Sequence, residues 1–194
     1  GYPSYNKPYS AIAWMETRMQ HRDDEYVLLM DSDMLFRSVI DPIKMGCAKG
    51  IVVSAEYSYL VGTENEFALY FISNDVHNFL SQVGGFHIFH IDDLRRIAPL
   101  WLDYTKKVRA FAHENPSTFF NLSMRPVLPS EESIRHVREK QAMWHSEMYG
   151  YVFAAAEVRV THDVRKDFML YPGYDPYMAT IPSILHYGVD YDIG

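Results

Sequence analysis

The chain has 194 residues, 18 Lys+Arg against 25 Asp+Glu for a formal net charge of −7, and is 48 % apolar and 15 % aromatic. That is one domain's length, too hydrophobic for disorder and long enough to bury roughly 70 % of its unfolded surface. The acidity excludes a general nucleic-acid binder, which needs clustered Lys/Arg against phosphate, and the single cysteine, Cys47, excludes an intrachain disulfide framework and a multi-thiolate zinc site.

Taken in chain order, Gly1 to Pro8 reads as irregular chain delivering a helix, with Asn6 or Lys7 near its cap and Pro8 at an early helical position. Ile12, Met15 and Met19 follow at helical spacing up to His21. After the charged turn Arg22-Asp23-Asp24-Glu25, the continuous apolar run Tyr26 to Met30 suits a strand covered on both faces, as in a parallel sheet. Ile51 to Ala55 reads as a second buried strand, and Gly84-Gly85-Phe86-His87-Ile88-Phe89 as a third that opens on two glycines. Asp92-Asp93-Leu94 starts a helix to about Ala112, its acidic first turn matching the positive end of the helix dipole. Pro126 and Pro129 mark a loop, Ser130-Glu131-Glu132-Ser133 a helix start, Ser146 to Val158 an apolar buried helix, and Ile184 to Tyr187 a short final strand. Strands alternating with helices predict an α/β domain filling residues 1–194. No apolar run approaches the ~20 residues that cross a bilayer, and no signal-peptide pattern opens the chain. Gly1 in place of an initiating Met reads as a fragment, leaving room for a targeting segment or membrane anchor upstream.

Asp31-Ser32-Asp33 is the most informative triplet, because residues i and i+2 of an extended chain point to one side and present two carboxylates together. They end the most apolar strand, at the sheet edge where ligands of open α/β folds bind. Two carboxylates suit a hard cation, Mn²⁺ or Mg²⁺, bridging protein and a diphosphate and neutralising charge on a departing nucleoside diphosphate. The alternative is a strand-ending turn in which both residues cap backbone amides.

Several segments, in order, carry a family likeness: Asn6-Lys7-Pro8, Tyr26 to Arg37, Val83-Gly84-Gly85, His90 to Arg95, Trp144 to Tyr151, Tyr171-Pro172-Gly173-Tyr174 and Leu185-His186-Tyr187-Gly188. Together they resemble the peptidyl serine α-galactosyltransferases of plants and green algae, relatives of the hydroxyproline O-arabinosyltransferases. The resemblance implies a GT-A fold, with a mixed, mostly parallel sheet flanked by helices. Because such a fold opens with a strand, helix and strand before its DxD strand, it also implies an N-terminally incomplete domain. It implies a UDP-sugar donor, a divalent metal, retention of configuration, and a serine hydroxyl acceptor in a hydroxyproline-rich protein of the endoplasmic reticulum or Golgi lumen. Finally, it implies Asp31 and Asp33 as metal and diphosphate residues, His186 as a late metal ligand and Gly188 close to the diphosphate.

Gly84 and Gly85 can bring backbone close to a sugar ring where a Cβ would obstruct it, or form a tight turn. Glu147, among Trp144, Tyr149 and Tyr151, is the candidate to orient sugar or acceptor, as a base, or as the nucleophile of a double displacement. Its rival reading makes Ser146 a helix cap, Glu147 a first-turn acid and the aromatics core. Lys7 at a helix start is a candidate phosphate or nucleotide contact, or an idle surface lysine. Two other functions stand beside the transferase: a non-haem Fe(II) oxygenase built on His90, Asp92 and His145, and a non-catalytic carbohydrate-binding module.

Overall fold

The computed structural model describes residues 3–18, 25–124, 130–170 and 181–188. The loop expected at Pro126 and Pro129, the helix end at Met19 to His21 and the segment Tyr171 to Tyr174 lie outside them.

A 3-10 turn at Pro3–Tyr5 leads into α1 (Asn6–Arg18). Strand β1 (Tyr26–Met30) follows as the periodicity predicts, and a turn at residues 31–33 delivers the short β2 (Met34–Phe36). Next come β3 (Ile51–Glu56) and β4 (Val83–His90), both largely buried. His90 then turns the chain directly into α2 (Ile91–Glu114), its Nδ1 accepting the Asp92 N–H at 3.2 Å as an N-cap. Helices α3 (Pro116–Ser123), α4 (Glu131–Lys140) and α5 (Met143–Glu157) complete the helical layer. Ser130 caps α4 as expected, accepting the Ser133 N–H at 3.1 Å. Strands β5 (Thr161–Arg165), β6 (Met169–Leu170) and β7 (Ile184–His186) close the described chain.

The main sheet runs β1-β4-β3-β5, and a smaller one runs β2-β7-β6. Helices and strands mix as expected for α/β, but the mostly parallel pairing does not hold. Strands β1, β3 and β5 share a direction, yet β4 runs opposite and lies between β1 and β3, so within the main sheet only β3 and β5 pair in parallel, while in the smaller sheet β6 and β7 do. The apolar run of β4 specifies a central strand but not its direction, which the connections decide. The consequence is local: the glycine end of β4 lies beside the carboxyl ends of β1 and β3, with Met30 opposite Phe86 and Ala55 opposite Gly84. A register shift between Ser54 and Ala55, with Gly85 at φ +75°, bends β4 there.

The core lies between sheet and helices. α2 and α5 pack along each other, with Trp101 fully buried and its indole N–H donating to the Glu147 carbonyl at 3.0 Å. Gly150 permits the approach, since a Cβ there would fall 2.7 Å from the Thr105 amide nitrogen. Helix α5 begins three residues before Ser146, whose N–H bonds the Ala142 carbonyl within the helix, so Ser146 is not its cap and Glu147 not a first-turn acid. Cys47 is buried against β4, its thiol 3.2 Å from the Ile88 carbonyl, and burial pushes its pKa up to about 11. No helix among the described residues is long and apolar enough to cross a membrane.

Candidate metal centre

Asp31 and Asp33 meet His186 where β1 gives way to β2. Residues 31–33 form a turn rather than extended chain, closed by the Met34 N–H bonding the Asp31 carbonyl at 3.3 Å. The two carboxylates therefore converge through a turn, not through strand alternation as the spacing predicts. β7 pairs with β2 so that His186 lies opposite Met34, and the Tyr187 N–H binds the Asp33 carbonyl at 3.0 Å. This clasp sets the His186 Nε2 3.3 Å from Asp33 Oδ1 and 3.8 Å from Asp31 Oδ2. One ligand atom from each of the three residues lies within 4.8 Å of the others, a spacing that could hold a metal ion.

The remaining oxygens are already engaged. The Gly188 N–H donates to Asp33 Oδ2 at 3.1 Å, and Lys7 Nζ sits 2.5 Å from Asp31 Oδ1. Each carboxylate is thus left with one oxygen toward the imidazole. Two carboxylate oxygens and an imidazole nitrogen form a donor set of the type Mn²⁺ or Mg²⁺ accepts, with coordination positions left for water or phosphate. Burial lowers the His186 pKa below its ordinary value, although Asp33 and Asp31 pull it up, which favours the neutral ring a metal needs.

Lys7 is not an idle surface lysine. From the first turn of α1 its ammonium reaches both Asp31 and, at 3.7 Å, Glu147 Oε2 of α5. Burial opposes its charge, but Glu147 and Asp31 together outweigh that and raise its pKa. Glu147 is pushed up by its own burial, with Lys7 opposing. Its side chain is 8 % exposed.

Two expectations change. The space beside Gly84 and Gly85 is filled by the Tyr57 ring: a Cβ on Gly84 would lie 2.6 Å from its Cε2, and one on Gly85 2.9 Å from its Cζ. On their Cβ side the glycines thus seat a protein side chain. Nor do His90, Asp92 and His145 converge. His90 pairs opposite Tyr26 at the far end of the eight-residue β4 and caps α2, and Asp92 binds Lys49 at 2.8 Å. His145 packs on Tyr59, beyond the carboxyl end of β3, so roughly the length of a strand separates it from His90. The iron-site reading therefore has no structural basis.

Tyr57 is the site residue that sequence reasoning missed. Its hydroxyl lies 3.3 Å from the His186 Nδ1, on the ring edge away from the carboxylates. Only the glycine pair gave a signal, by requiring some group to approach closely.

Comparison with known proteins follows the same lines. Residues 1–122 match the profile described as the hydroxyproline O-arabinosyltransferase family N-terminal domain. The chain is 34 % identical over its whole length to a peptidyl serine alpha-galactosyltransferase of Arabidopsis thaliana and 34 % identical to one of Chlamydomonas reinhardtii, spanning 22 % and 25 % of those proteins. It is 27 % identical to a hydroxyproline O-arabinosyltransferase of Medicago truncatula, spanning 47 % of it. No solved structure matches.

Proposed function

The chain belongs to the hydroxyproline O-arabinosyltransferase family, and on that premise we propose that it carries the donor and cation site of a glycosyltransferase. In this reading it moves a hexose, galactose by its likeness to the serine galactosyltransferases, from a UDP-sugar to a serine hydroxyl of a hydroxyproline-rich protein. The fold is read as GT-A type and the setting as the lumen of the secretory pathway. One observation carries the proposal: Asp31, Asp33 and His186 bring their ligand atoms within 4.8 Å of one another at the carboxyl edge of the sheet.

Mn²⁺ or Mg²⁺ held by these three side chains would neutralise charge growing on the departing UDP. Lys7 fixes one Asp31 oxygen so that the other faces His186, and Gly188 does the same for Asp33. Glu147 keeps the Lys7 ammonium paired in a setting that would otherwise disfavour its charge. An α-linked product from an α-linked donor retains configuration. In a same-face displacement the bond from the anomeric carbon to UDP breaks as the bond to the serine oxygen forms, and a donor phosphate oxygen takes the serine proton. Double displacement would instead need a carboxylate at the anomeric carbon. The burial of Glu147 against Lys7 supports the first route, with Glu147 acting through Lys7.

Transfer of a pentose to hydroxyproline is the second reading, favoured by the family match over residues 1–122. UDP-galactose with a serine peptide, tried against UDP-arabinose with a hydroxyproline peptide, separates the two. The cation site itself is tested by calorimetric titration of Mn²⁺ and UDP. Asp31→Ala with Asp33→Ala should abolish metal-dependent UDP binding. Undiminished metal-dependent affinity in that double variant overturns the assignment.

A further inference from the structure

We propose that Asn121 is a modification site that carries an N-linked oligosaccharide, an inference that rests on the luminal setting proposed for the protein. The acceptor pattern for that modification is Asn-X-Ser/Thr, with any X except Pro. The sequence holds two Asn-X-Ser tripeptides, Asn115-Pro116-Ser117 and Asn121-Leu122-Ser123. Pro116 locks the backbone of the first and removes an N–H from it, so only Asn121 stands in an acceptor pattern.

A bulky, strongly hydrated branch has to leave the protein from its surface. Helix α3 meets that requirement at the right position. Pro116, Phe119, Phe120 and Ser123 are buried, while Ser117 and Asn121, one turn apart, are exposed on the opposite face. The helix gives no residue to the cluster of Asp31, Asp33 and His186, so the branch and the cation site draw on different parts of the chain.

The acceptor pattern is read as a unit, amide and hydroxyl together, and the folded chain holds the two apart. At about 100° per residue, positions i and i+2 leave an α-helix about 200° apart. Asn121 accordingly points outward, whereas Ser123 is 0 % exposed and its hydroxyl donates to the Phe119 carbonyl at 2.6 Å. The next carbonyls are also engaged: that of Leu122 accepts the Asn65 amide at 2.8 Å and that of Ser123 the Tyr149 hydroxyl at 2.7 Å. Transfer therefore belongs to the unfolded chain as it enters the lumen. A bond forms from Asn121 Nδ2 to the anomeric carbon of an oligosaccharide as the bond from that carbon to a lipid diphosphate breaks. The diphosphate departs on its lipid, and the amide gives up one proton. Folding then draws Ser123 inward and leaves the sugar in water, with no change to the core.

The test directs the chain into the secretory pathway of cultured mammalian cells with an added signal peptide. Because transfer precedes folding, this arm reads Asn121 whether or not the chain goes on to fold. The unaltered chain should run larger on a gel and lose that shift on treatment with peptide-N-glycosidase F, which leaves an aspartate at position 121 for mass spectrometry. Asn121→Gln and Ser123→Ala should each abolish the shift, and Asn115→Gln should keep it. A lumen-directed chain without the shift, or a shift that survives Asn121→Gln, overturns the proposal and leaves the transferase reading standing. A second arm takes the protein from its natural source, in intact vesicles, and measures both protease protection and the mass of the peptide around Asn121. Protected and glycosylated protein supports the inference, and protected but unmodified protein overturns it alone. Protein open to the protease overturns the luminal setting and the inference with it.

Discussion

Lys7 joins the two acidic groups on either side of it, and its removal exposes how they depend on one another. Lys7→Met leaves a buried Glu147 without its cation and should cost about 3 kcal/mol in urea denaturation, in the range for breaking one half of a buried pair. Adding Glu147→Gln should restore much of that loss, because the stranded charge disappears; additive losses in the double variant would deny the coupling. At this scale the sequence was partly readable. Asp31 and Asp33 announced themselves as two carboxylates at a strand end, but His186 entered only through family likeness, since one histidine in a loop-rich tail carries no signal of its own. Nothing marked Lys7 and Glu147 as partners 140 positions apart in the chain. Tyr57 was one of 15 tyrosines, and only its fit over two glycines distinguishes it.

Elements were more legible than directions. Apolar runs placed β1, β3 and β4 to within a residue at their ends, because buried strands must be continuous in hydrophobic residues. Strand β5, Thr-His-Asp-Val-Arg, is polar and half-buried and gave no such signal, and β2 is three residues long. The start of α5 was misplaced because Ser146 resembles a cap, whereas the chain enters that helix through left-handed backbone at Gln141 and Ala142. These elements also carry a pH response. Burial lowers His145 of α5 and His162 of β5 to about 4, and holds His87 of β4 well below the ordinary histidine value. Unfolded histidines bind protons below about pH 6.5 while these folded ones do not, so the unfolded state gains more protons and stability falls as pH drops from 6.5 toward 4. His162 illustrates the cost, since its Nδ1 is buried with no hydrogen-bond partner among the described residues, its Nε2 facing the Tyr151 hydroxyl at 2.9 Å. The unfolding free energy from urea titrations should decline across this range, and a His162→Gln variant should flatten the slope.

Across the whole molecule, the site is assembled from α1, the β1–β2 turn, the segments after β3 and at the start of β4, α5 and β7, so it exists only when distant parts of the chain are folded together. That is why single motifs under-determined it and why an ordered likeness along the chain was more informative than any one of them. The same interdependence makes one atom a gauge of integrity. The sulfur of Cys47, sealed against the Ile88 carbonyl and scarcely ionised at neutral pH, has neither the access nor the thiolate that alkylation requires. An iodoacetamide adduct should therefore accumulate no faster than β3 and β4 separate, and mass spectrometry of that adduct would time the molecule's openings. Prompt modification of the native protein would contradict this. Because the chain has a single cysteine, every such adduct reports from the same place.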